Sequence, residues 1–112
     1  MPELLNLEIV APIPVGHRVH VRWLPLPVRN IAVFGLDKMS FEARPQEPLI
    51  HDLDTGVLYG PAWAIDEQGF PRTDRPVARE LHGRVTRCVV TTRRELNAAT
   101  VLEIEPDPAG YR

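Results

Sequence analysis

Cysteine is almost missing from this chain: Cys88 is the only one, which excludes an internal disulfide and any metal site built from several thiolates. Long apolar runs are missing too. No stretch approaches the roughly 18 residues that a helical membrane span requires. The first fifteen residues carry Glu3 and Glu8 with no basic lead-in, so neither a membrane span nor a signal peptide is expected. A lone thiol without a leader makes the cytoplasm the expected compartment. Aromatic residues are only 6% of the chain, few for a surface that stacks bases. There is no excess of positive charge either: a formal net charge of −2 argues against a general nucleic-acid binder, whose affinity comes from neutralising phosphates. The seven glycines are scattered and form no phosphate-cradling loop, so nucleotide hydrolysis is not indicated.

Proline, by contrast, is abundant. Twelve prolines among 112 residues are more than twice the usual share, and proline is kept out of helix interiors and central sheet ladders. Short strands are therefore favoured over long helices. With 44% hydrophobic and 25% charged residues, the chain has a globular balance and the length of one domain. The expectation is an all-β domain over residues 1–105, a single small antiparallel β-barrel with a sandwich as the alternative. Residues 106–112, with Pro106, Pro108 and Gly110, read as a flexible tail.

Strict alternation marks His17 to Leu24 as a half-buried strand, with Val19, Val21 and Trp23 on one face and Arg18, His20 and Arg22 on the other. Leu4 to Val10, ending at Pro12 and Pro14, reads as an edge strand. Val28 to Phe34 is rich in β-branched residues and reads as a strand, and Leu36 to Arg44 leans the same way. Pro45 to Pro48 predicts a turn, Leu49 to Leu53 a strand leading into the bend Asp54-Thr55-Gly56, and Val57 to Ile65 a further apolar stretch. Asp66 to Pro76 reads as a mobile loop. Glu80 to Thr92 is the longest strand candidate, with Leu81, Val85 and Val89 on one side and Cys88 and Val90 on the other. It forms a hairpin with Thr100 to Glu105.

Charge is distributed in blocks. Residues 37–67 hold seven acids against Lys38 and Arg44, and residues 72–94 hold seven arginines against Asp74 and Glu80. Opposite charges facing across strands are mildly stabilising, so the blocks are expected to pair with each other.

Three constellations could carry chemistry. Asp54-Thr55-Gly56 is the signature around the carboxylate of aspartic proteases, which in so short a chain would need a symmetric dimer to bring two carboxylates together. Val57 follows where that family has a small residue, and a structural turn is the preferred reading. The histidines lack chelating spacing: His17 and His20, three apart on a strand, point to opposite faces, and a site of His20, His51 and Asp52 would need a tertiary coincidence, so solvated or hydrogen-bonded histidines and no metal are expected. Cys88 beside Arg87 reads as an inert core thiol rather than a nucleophile. The chain is accordingly expected not to be an enzyme and to need no cofactor.

One ordered set of features resembles the PilZ family of small β-barrels, many of which bind cyclic di-GMP. It consists of Arg18-Val19-His20-Val21-Arg22, two arginines separated by three residues, then Leu24-Pro25-Leu26-Pro27-Val28, and about thirty residues later Asp52-Leu53-Asp54-Thr55-Gly56-Val57. Gly83-Arg84-Val85 stands where such barrels have a late strand, and Val101 to Ile104 where the barrel closes. The likeness spans roughly residues 16 to 105. It implies a ligand site of Arg18, Arg22, Asp52, Asp54 and Gly56, the arginines reaching phosphates and guanine edges with their planar forks. Asp54 stands in place of the family's serine and opposes a dianionic ligand, and Gly56 comes one residue early. The resemblance therefore implies a non-enzymatic bacterial adaptor that docks an unknown partner protein, with a cyclic di-GMP receptor as the alternative. Neither nucleic acid nor membrane is an expected partner.

Overall fold

The computed structural model describes residues 1–27, 44–91 and 99–108. The strands expected over Val28 to Phe34 and Leu36 to Arg44 lie outside these, Arg44 excepted, as do residues 109–112 of the expected tail.

Six strands form one antiparallel sheet: β1 (Glu3–Leu7), β2 (Arg18–Pro25), β3 (Gln46–Asp52), β4 (Leu58–Tyr59), β5 (Arg79–Val90) and β6 (Thr100–Pro106). Their order across the sheet is β1-β6-β5-β2-β3-β4. The all-β class is thus present as an open sheet. Among the described residues no ladder joins β1 to β4. The sheet is nonetheless strongly coiled. Glu3 pairs in register with Ile104, and Ile104 with Val85, six positions from Arg79, a separation of about 20 Å along a flat sheet. Yet Glu3 and Arg79 form an ion pair. The two open edges also flank a cavity of about 350 Å³, lined by Leu7 at the end of β1, by Glu8 and Ile9 beyond it, and by Pro45, Glu47 and Pro61 from the other edge. Burial, and then the nearby Glu8 carboxylate, push the Glu47 carboxyl above its ordinary range.

The alternation of β2 sorts the two faces. Val19 and Val21 are fully buried with Leu5, Leu7, Ile50, Leu81, Val85, Leu102 and Ile104 in the main core, and Trp23 packs against it. The segment between β1 and β2 closes over this face through buried Ala11 and Ile13. It is pinned by Thr100, whose hydroxyl accepts from the Ala11 amide at 2.9 Å and donates to the Ile9 carbonyl at 2.7 Å. Among the described residues the opposite face is covered at one end, where Leu24 and Leu49 pack with Ala64 of the 3₁₀ turn Ala62–Ala64.

Three local expectations are corrected. First, Pro48 does not belong to a turn but sits inside β3, opposite Trp23. β4 reaches only Ile50 and His51, so at Pro48 the strand has a described neighbour on one side and the missing N–H can face the open side. Second, β1 stops at Leu7 rather than Val10, and Ile9 and Val10 are exposed. Third, β5 carries a bulge between Val85 and Arg87, so Cys88 pairs with Leu102 and joins Leu81 and Val85 at the core face. A bulge adds one residue and reverses the alternation beyond it. The Cys88 thiol donates weakly to the Ala11 carbonyl at 3.5 Å. Asp66 to Pro76, expected as a loop, begins with a tight turn. The Asp66 carboxylate accepts from the Gln68 and Phe70 amides, and Ile65 bridges to Pro71.

Gly83, central in β5, marks the closest backbone approach: a Cβ there would lie 2.5 Å from the Glu105 carbonyl oxygen.

Candidate functional site

The start of β2 and the end of β3 meet because Val19 is the register partner of Asp52. Beyond Asp52 the chain reverses, with the Gly56 amide donating to the Asp52 carbonyl at 2.8 Å and the Asp52 amide to the Val57 carbonyl at 2.9 Å. Gly56 adopts φ +80°, the left-handed conformation that only glycine reaches without strain. The Asp52 side chain, 1% exposed, organises the turn. One oxygen, Oδ1, accepts from the amides of Asp54 and Thr55 at 3.0 and 3.3 Å, and the other, Oδ2, meets His17 Nδ1 at 2.9 Å. Burial alone would raise its carboxyl pKa, but the hydrogen bonds from His17 and the two amides outweigh it and hold the group below the ordinary carboxylate range. Asp54 reaches back across the turn, where its Oδ2 accepts from the Arg18 amide at 2.8 Å.

A second cluster occupies the other face of β2. His20 stands opposite His51 on β3 and opposite His82 on β5. The rings of His20 and His82 stack 4.0 Å apart at 15°. His20 Nε2 lies 3.1 Å from Glu80 Oε1. Burial is the largest influence on His20 and lowers its pKa; Arg22 and His82 add to this, while Glu80 works in the other direction. Arg22 Nε approaches Glu80 only to 3.9 Å, and its Nη1 is buried without an acceptor. Arg18 stands directly opposite Arg84, whose Nη1 donates to the Gly16 carbonyl at 2.9 Å.

The five residues expected to form one site are therefore divided. Arg18, Asp52, Asp54 and Gly56 come together at the turn. Arg22 does not join them: it is three positions along β2 from Val19 and on the opposite face from the buried Asp52. His17, expected to be solvated or hydrogen-bonded, completes the turn through its bond to Asp52. Among the described residues no ion pair shown joins the two charge blocks. Arg72 binds Asp74 within its own block, holding that exposed carboxyl at about 2, with Asp66 and Glu67 acting on Arg72 only at longer range. Arg79 goes to Glu3 and stacks over Trp23, 4.3 Å from the ring centre.

His20, Glu80 and His82 went unrecognised as a unit, because alternation gives the face of His20 but not the register that sets it against β5. No helix among the described residues is long and apolar enough to cross a membrane.

No protein-family model, no curated protein and no solved structure matches this chain.

Proposed function

We propose that this chain is a non-enzymatic adaptor domain of bacterial, PilZ-like type, an open and strongly coiled barrel that docks a partner protein on the outer face of β2 and β5. The observation that carries this reading is the direct opposition of Arg18 and Arg84. Like charges facing each other across a ladder cost stability, and among the described residues the Arg18 guanidinium has no ion-pair partner. A pair of arginines kept at such a position suits an acidic surface on a partner, which would offset the repulsion on binding. The experiment is affinity capture from the native cell, comparing the wild-type chain with Arg18→Glu/Arg84→Glu. A protein retained by the first and released by the second supports the reading.

A second reading, a cyclic di-GMP receptor in the same compartment, draws on a different observation. Arg18 and Arg22 flank His20 on one face, and Arg22 Nη1 is a buried donor that lacks an acceptor, as a phosphate or guanine edge would supply. Asp54 beside the Arg18 backbone opposes it. Calorimetric titration separates the two readings: micromolar binding abolished by Arg22→Ala favours the receptor, and absence of heat removes it.

A further inference from the structure

We propose that His17, Asp52 and Asp54 form a binding site for a divalent transition-metal ion of the zinc class. One nitrogen of His17 and one carboxylate oxygen from each aspartate lie within 4.8 Å of one another. Zinc holds nitrogen and oxygen ligands at about 2.0–2.2 Å, so donors on one ion sit roughly 3–4 Å apart, and small side-chain rotations bring these three into range. An imidazole among two carboxylates selects a first-row transition metal over calcium or magnesium, which prefer oxygen alone.

Electrostatics point the same way. Two carboxylates are held close together, yet among the described residues neither has a lysine or arginine partner, and His17 is their only side-chain donor. A dication would relieve this repulsion, taking the place of the proton that lies between His17 Nδ1 and Asp52 Oδ2. Backbone amides already fix the carboxylates: Asp54 and Thr55 hold Asp52 Oδ1, and Arg18 holds Asp54 Oδ2. Such outer contacts orient metal ligands in advance. The His17 side chain is 28% exposed and Asp54 lies at the surface, so an ion has a path in and keeps coordination positions for water or for a donor on a bound partner. This proposal is independent of the docking reading.

Titration calorimetry with zinc chloride on chelator-treated full-length chain tests it. The expected result is one zinc per chain, weakened at least tenfold by Asp54→Asn and by His17→Ala, unchanged by His51→Ala, and not reproduced by magnesium. Asp54→Asn keeps an oxygen for the Arg18 amide, so it remains decisive if circular dichroism shows that His17→Ala misfolds. Absence of zinc binding at millimolar concentration overturns the proposal. So does binding indifferent to Asp54→Asn, or binding lost in His51→Ala, which would place the ion on the row of histidines across β3, β2 and β5.

Discussion

His17 and His20 stand three residues apart, and each meets a carboxylate, yet the two pairs behave in opposite ways. At the turn the carboxylate is the buried partner: Asp52 is 1% exposed, three donors surround it, and its pKa falls. On the β2 face the imidazole is the buried partner. The side chain of His20 is 11% exposed, Glu80 is 38% exposed, and the histidine pKa falls. The contrast teaches that the group taken out of water, and the number of donors that meet it there, decide what an ion pair does. The first pair closes a turn with its hydrogen bonds made; the second leaves Arg22 with an unmet donor. At the turn the donors fix the Asp52 carboxylate in place, whereas the unmet donor marks the β2 face as the place for a partner to bind.

Asp52→Ala is the most damaging change expected. It leaves two amides and His17 without their acceptor, at a cost of about 3 kcal/mol in urea unfolding, since each orphaned buried donor costs roughly 1–3 kcal/mol. Glu80→Ala removes a partly exposed partner and is expected to cost about 1 kcal/mol or less. Equal losses from the two would erase the comparison. Gly56→Ala is expected to cost about 1–2 kcal/mol, because any side chain is strained at φ +80°, and it should weaken the Arg18–Asp54 contact with the turn.

Acid titration of stability sharpens the contrast further. Burial holds the folded pKa of His20 below the ordinary histidine range, so its contribution is present above that range and is lost as pH falls through the lowered value. Asp52, also depressed, contributes above its ordinary carboxylate range and is lost further into acid. His20→Gln should flatten the upper limb alone, and Asp52→Asn the lower limb alone, in unfolding free energy measured across pH. The smallest effect belongs to Arg22→Met. Replacing an unsatisfied buried donor with an apolar side chain is expected to leave stability unchanged or raise it by up to about 1 kcal/mol.

Much of this fold was legible in residues close together in sequence. The alternation of His17 to Leu24 identified β2 and its faces, the two apolar runs at 80–92 and 100–105 identified the β5–β6 hairpin, and Asp54-Thr55-Gly56 identified the bend. The bulge in β5 was not legible, because Thr86 and Arg87 carry no glycine or proline to signal it. Pro48 misled because its place depends on how far β4 extends along β3. The site was half legible for the same reason. Asp52, Asp54 and Gly56 share one local turn, whereas the meeting of that turn with His17 and Arg18, and of His20 with Glu80 and His82, depends on contacts between residues 35 to 62 positions apart that no local spacing encodes.

If the arginines of β2 and β5 form the docking face, capture from native cells will show it. Arg72→Glu, which alters an arginine already bonded to its neighbour Asp74, serves as the charge-matched control. The account predicts one acidic protein retained by wild type and by Arg72→Glu and released by Arg18→Glu/Arg84→Glu. Equal retention by all three, with each variant folded, would contradict it.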